Sequence, residues 1–465
     1  MSTIDAFIAT NRFGLGPCPG DLADYATDPR GRLLADLAGP SMTADASLPT
    51  TKQAATEAGA MAIRDTAIRK QRIAEGSAPK DSQPGKGIDM SMGGPKRSGT
   101  IRGMFAREIG VRYRRAVSTQ APFRERLIHF WSNHFTVSVI APVVVPLAGP
   151  FEREAIAPHI TGRFADMLKA ATLHPAMMTY LDQVRSVGPR SVVGQKNRSG
   201  LNENLGREIL ELHTLGVGGG YTQADVIALA KILSGWGYVG PKEGGNYGLV
   251  PNRHEPGDKV LLGKQFVEAG PDEAIAALDF LAAHPATARF LATKLVRHFV
   301  ADEPPSAAVD RIAATYMETT GDLGAVSRAL VGLDEAWQTS MPKIKTPWEY
   351  AVAVGRAVGG LGAEGSDQNI LRSLRSMGQQ PFGAPSPAGW PDTGGNWLGP
   401  DALLRRIDFA RAVAARSSRK TSVEDTMAGT IAPVAPQQVL DIIRRAGDKT
   451  DALAMIFLSP QFQRR

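Results

Sequence analysis

What the chain lacks narrows it first. Its 465 residues include one cysteine, Cys18. No disulfide can close within the chain, and no cysteine-rich metal centre can be built. A lone thiol is more often a small buried apolar side chain than a nucleophile. Long apolar runs are missing too. The longest, residues 137–150 (VSVIAPVVVPLAGP), is interrupted by Pro142, Pro146 and Pro150 and falls short of the ~20 residues that a spanning helix needs. The opening MSTIDAFIATNRFGLGP has no basic stretch leading into an apolar core, so it does not read as a secretory signal. The expectation is a cytoplasmic chain without a transmembrane segment, with export alongside a partner left open. No G-x-S-x-G elbow, no zincin motif and no repeat of fixed period is present.

Charge is present but diffuse. Lys and Arg number 53 against 46 Asp and Glu, a net +7, and the sequence pI is about 9.4. The basic runs are short: Arg112, Arg114 and Arg115 flank Tyr113, and Arg405 precedes Arg406. A basic balance is a mild argument for an acidic partner. No helix carries the dense Lys/Arg stripe with interleaved aromatics that nucleic-acid binding favours, so nucleic acid is not the expected partner. Hydrophobic residues at 43% leave ample material for a core.

Helical periodicity dominates, and the expected class is all-α: a large multi-helix body with a small Gly-rich β-hairpin excursion near 238–265. Three stretches follow from composition. Residues 1–75 form an N-terminal helical segment. Residues 76–100 (GSAPKDSQPGKGIDMSMGGPKRSGT) have almost no aliphatic content and read as a flexible loop. Residues 101–465 form the main helical body, with irregular insertions at 238–270 and 380–400.

The densest polar cluster is the helix expected over 202–215, NENLGREILELHTL. Asn202 suits its start and Gly216 the position past its end. Stepping ~100° per residue places Glu203, Arg207, Glu211, Asn204 and Glu208 on one arc, with Leu205, Ile209 and Leu212 opposite. His213 falls away from the acids. One reading makes Glu208 and Glu211 metal ligands or an acid/base pair, with Asn204 and Arg207 orienting a substrate. The plainer reading is a solvated face, because Glu203, Arg207 and Glu211 form an i, i+4 ladder worth only ~0.2–0.5 kcal/mol per pair. E-x-x-H spacing is absent, and His213 in the last turn has a helix-dipole explanation. The following helix opens with a capping box, Thr222 and Asp225.

Residues 122–135 contain ERLIHFWSNHF. Leu127, Phe130, Trp131 and His134 share one buried stripe. His134 is a core histidine on that reading, or a general base or ligand on the functional one. His129 lies some 140° around the helix from His134, so the two cannot chelate one ion. His174 and His284 precede prolines and read as helix ends. His298, late in the 285–300 helix, again has a dipole explanation. His254 sits in the Gly-rich region, and a loop position makes it a candidate substrate contact.

Taken together, NRFGLGP, FWSNHF, PHITGRF, HPAMMTYLD, NENLGREILELHTLGVGGGYTQADV, HPATARFLATKLVRHFV, KTPWEY and SPAGWPD occur in an order that spans nearly the whole chain. The sequence resembles the bacterial family called domain of unknown function 1800. That resemblance implies no activity. It implies a protein partner from the exported sulfatase-like family called domain of unknown function 1501. The family text at the signature helix is N-E-N-Y-A-R-E. Here Leu205 and Gly206 replace Tyr-Ala, and Gly206 costs ~1 kcal/mol against Ala in a helix.

Two functions are therefore carried forward. The first is an enzyme, hydrolase-like and dependent on a divalent metal, with its site between 122–135 and 202–215. In it Glu208, Glu211 and His134 are catalytic groups or metal ligands, and Asn204, Arg207 and His254 contact substrate. The second is a non-catalytic accessory or scaffold for the exported partner, with the polar arc serving as an ion-pair network.

Overall fold

The computed structural model describes residues 3–39, 48–56, 99–238, 247–360 and 367–465. Most of the loop expected at 76–100 lies outside these residues, as does the 57–75 part of the helical segment before it. Helices dominate the described residues. The named strands there form two short antiparallel pairs, Trp236–Tyr238 with Tyr247–Leu249 and Lys259–Leu261 with Lys264–Phe266. This is the all-α body with a small hairpin excursion that the periodicity predicts.

One apolar core runs from Ala6 to Phe462. Its aromatic centre joins distant segments. Phe13 meets Phe123 edge-on at 5.5 Å, stacks on Phe299 at 5.8 Å and leans on Trp337 at 5.4 Å. The first helix thus packs into the main body. The expected stripe is also buried: Leu127, Phe130, Trp131 and His134 all face inward from Pro122–His134.

Two helical stretches are not regular. Residues 148–172 divide into Ala148–Phe151, a π-helical turn Glu152–Ile156, a 3-10 turn Ala157–His159 and the helix Phe164–Thr172. Pro158 cannot donate to the ladder, and it lies inside the 3-10 turn. The signature helix is α only over Asn204–Glu208 and then widens to a π turn, Ile209–His213. Gly206 lies where the next helix, Gln223–Leu233, crosses closely: a Cβ there would sit 3.1 Å from the Ala230 nitrogen. The expected capping box of Thr222 and Asp225 is present in full.

His174 and His284 do not terminate helices but start them. Each imidazole Nδ1 accepts the N–H of the residue two positions on, Ala176 and Ala286, at 3.1 Å. Proline at the first helical position has no N–H to satisfy, so the ring caps the next one.

Candidate functional site

Five segments enclose a cavity of about 450 Å³. Pro122–His134 contributes Arg126, His129, Asn133 and His134. Pro285–Phe299 adds Lys294, Arg297 and His298. Gly99–Ser118 contributes Arg112, Pro347–Ala357 adds Trp348 and Glu349, and the irregular insertion at 380–400, rich in Pro, Gly and Trp, adds Phe382, Trp390 and Asp392.

The loop is held by a two-way bond. Asn133 Oδ1 accepts the Trp390 N–H at 2.8 Å, and Asn133 Nδ2 donates to the Trp390 carbonyl at 2.9 Å. Gly389 makes this approach feasible. Its φ is +84°, and a Cβ would lie 2.5 Å from the Asn133 carbonyl oxygen.

Behind the cavity wall the acids are matched to cations. Glu349 pairs with Arg126 and with Arg465 at 3.0 Å, while accepting the Thr346 N–H at 2.8 Å. Burial opposes its charge, but Arg465 and Arg126 outweigh burial and hold the carboxyl well below its usual range. Asp392 accepts from His298 Nδ1 at 2.8 Å. Burial works against ionisation there as well, yet His298, Lys343 and Arg465 bring Asp392 down to about 2. Burial takes His298 to about 4, so the ring is neutral at pH 7 and the expected dipole role of a cationic His298 does not hold. On another wall, Glu152 bonds Arg112 at 2.8 Å, Arg115 at 3.0 Å and Ser132 at 2.9 Å. His129 accepts from Trp348 Nε1 at 3.2 Å, and its Nε2 lies 3.1 Å from Glu125.

His134 is wired differently. Its Nε2 donates to the carbonyl of His213 at 3.1 Å, and its Nδ1 accepts from Lys294 Nζ at 3.0 Å. Burial, then Lys294 and His213, hold it neutral, well below the usual imidazole range. Lys294 has no carboxylate ion pair among the described residues, and burial lowers its amine to about 8.

The expected site residues are dispersed. His134 lines the cavity; Glu208, Glu211, Asn204, Arg207 and His254 do not. Arg207 bonds Glu203 and Gln223, both at 3.0 Å, in the expected i, i+4 arrangement. Glu211 accepts from Tyr221 at 3.4 Å. Glu208, beside Glu211, is raised by half-burial and then by that neighbour. Asn204 is exposed, and its backbone N–H donates to Asn202 Oδ1. His254 is buried: Nδ1 meets the Ser234 carbonyl at 2.9 Å, and Nε2 lies 3.0 Å from Glu273 and 3.2 Å from Lys259. It ties the Gly-rich excursion to Pro271–Ala282.

His213 overturns its dipole explanation. It faces inward with Leu205, Ile209 and Leu210, where it is 1% exposed and burial takes it to about 3. It is therefore neutral. Among the described residues no group of three or more His, Cys, Asp or Glu is placed to hold a metal ion. Glu208, Glu211 and His134 accordingly do not form a ligand set.

Sequence reading missed Lys294, Arg297, His298, Glu349 and Asp392. The available signal was Lys294, Arg297 and His298 at i, i+3, i+4, a basic and polar patch late in an amphipathic helix. No helix among the described residues is long and apolar enough to cross a membrane. No curated protein and no solved structure matches the chain. A family model does match residues 8–464, and on that match the chain belongs to the family described as Protein of unknown function (DUF1800).

Proposed function

We propose that the cavity is the working site of an enzyme acting on a small molecule, with Lys294 as the proton-transferring group and His134 as its positioning partner. The observation that carries this is the Lys294 amine, which opens on the cavity with a neutral imidazole as its hydrogen-bond partner. An ammonium held by a carboxylate keeps its proton; one held by a neutral ring, with burial against it, releases and regains a proton near neutral pH. His134 cannot itself take the proton readily, because burial disfavours its cation. Its anchoring to the His213 carbonyl fixes which ring nitrogen faces Lys294. The His298–Asp392 pair presents Nε2 as an acceptor, 3.4 Å from Arg126. Cavities of this size and mixed lining are usual for small-molecule sites.

The test is pH-dependent acetylation of lysines read by mass spectrometry. Lys294 is expected to reach half-reactivity near pH 8, well before surface lysines. Ordinary titration above pH 10, or no reaction at any pH, overturns the reading. Glu208→Gln is expected to leave the Lys294 profile unchanged.

A second reading is the accessory protein for an exported sulfatase-like partner of the domain of unknown function 1501 family. The exposed Leu403, Leu404 and Ile407 on Pro400–Ser417 favour it, since contiguous exposed apolar side chains mark interaction surfaces. Fractionation of cells with and without the partner separates a cytoplasmic chain from one carried out folded.

A further inference from the structure

We propose that the ligand of this cavity carries a carboxylate, phosphate or sulfate group, seated against Lys294 Nζ and the Arg297 guanidinium. This rests on the cavity being the working site and adds the chemical class of what enters it.

Charge on the cavity wall is unevenly matched. Each acid on the wall is occupied. Glu349 is held by Arg126 and Arg465, and Asp392 by His298, with Lys343 and Arg465 each 3.6 Å away. Asp302 takes Lys343 at 2.6 Å and the Gly394 N–H at 2.7 Å. Arg112, the cation on the far wall, is spent on Glu152.

Lys294 and Arg297 are different. Both line the cavity, and neither has a carboxylate ion pair among the described residues. Lys294 gives one N–H to His134 and keeps two; Arg297 gives Nε–H to the Asp302 carbonyl at 3.3 Å, leaving four N–H donors. They stand i, i+3 on one helix, so their side chains are surface neighbours. Burial lowers the proton affinity of Lys294, the Asp392 carboxylate opposes this from beyond ion-pair distance, and repulsion from Arg297 adds a smaller lowering. The last-turn carbonyls give Arg297 a partial counter-charge, but Lys294 sits nearly a full turn upstream. Two cations facing one cavity, with their own acids committed elsewhere, form a receptor for an anion that the chain does not supply.

The cavity of about 450 Å³ exceeds the volume of a bare inorganic anion, and Trp348, Phe382 and Trp390 line the remainder. The anionic group is therefore one end of an organic molecule whose body meets aromatic faces.

The experiment is protection of Lys294 from acetylation by inorganic phosphate, sulfate or acetate, each at constant ionic strength against sodium chloride. At least one of the three is expected to protect saturably and to raise the pH of half-reactivity by about one unit, because a bound anion favours the ammonium. Arg297→Gln should weaken protection at least tenfold, and Arg297→Lys should retain much of it. Arg289→Gln, on the exposed face of the same helix and paired with Asp310, should change nothing. Protection no better than chloride, with Lys294 still titrating near 8, overturns the anionic ligand and leaves the cavity reading standing. Protection indifferent to Arg297→Gln also overturns it. A Lys294 that does not titrate near neutrality removes both.

Discussion

Lys294 reaches 3.0 Å across the cavity wall to donate to Nδ1 of His134, although the two residues are 160 positions apart in sequence. The contact joins two helices and leaves an amine with no carboxylate ion pair among the described residues. Its titration has a consequence for stability. The amine falls from 10.5 to about 8 on folding. Between those values the unfolded chain holds a proton that the folded chain has released, so stability rises with pH across that window. Lys294→Met removes the rise. Urea midpoints should show the wild type gaining on the variant from pH 8 to 10.5, and parallel curves would show that Lys294 does not titrate there.

Glu349→Gln breaks the buried pairs with Arg126 and Arg465. Removing one partner of a buried pair typically costs about 3–5 kcal/mol, and urea denaturation at pH 7 should show a loss of that order. Because the folded carboxyl lies well below its ordinary 4.5, its contribution is present above pH 4.5 and is lost as the pH falls. The deficit of the variant should therefore shrink at pH 3.

His213→Phe should be nearly neutral at pH 7, within ~1 kcal/mol, since both ring nitrogens lack a protein partner and an unmet buried polar group is itself a cost. The folded ring lies near 3 against an ordinary 6.5. Wild-type stability is thus full above 6.5 and erodes as the pH drops towards 3. The variant should unfold at lower pH than the wild type. A large destabilisation at pH 7 would show that the site is fitted to the imidazole and does not accept the larger ring.

Gly206→Ala would gain ~1 kcal/mol of helix propensity in isolation. Here the new methyl meets the Ala230 nitrogen at 3.1 Å and the Val226 carbonyl at 3.2 Å, both backbone atoms of the crossing helix. The expected thermal midpoint is unchanged or lower. A rise of several degrees would show that the helices part freely.

These cases also mark what the residues disclosed in advance. The Thr222–Asp225 cap and the Leu127–Phe130–Trp131–His134 stripe depend on neighbours within one or two turns, so spacing was enough to find them. Spacing also put His213 away from the acids, where it is found; its dipole role failed because burial by other helices keeps the ring neutral, which no local pattern discloses. His174 and His284 read as helix ends because proline disfavours a preceding helical residue; both are indeed extended, but that is also the backbone of an N-cap, so each begins the next helix. The cavity was the least legible feature. Lys294 in its polar patch and Glu349 in the Thr346 capping box carry local signals, but these and Asp392 form a cavity only when segments from separate parts of the chain meet.

That assembly also sets how a ligand can be found. The cavity wall draws on residues from Leu15 to Thr393, so no short fragment of the chain contains it, and it forms only when those distant segments have come together. An occupant binds the native state and not its precursors. Every tenfold of free concentration above its dissociation constant then adds about 1.4 kcal/mol to unfolding. The melting temperature of the intact protein thereby becomes a reporter for the missing molecule: heating it in the presence of pooled metabolites would show the right one as the pool that delays collapse.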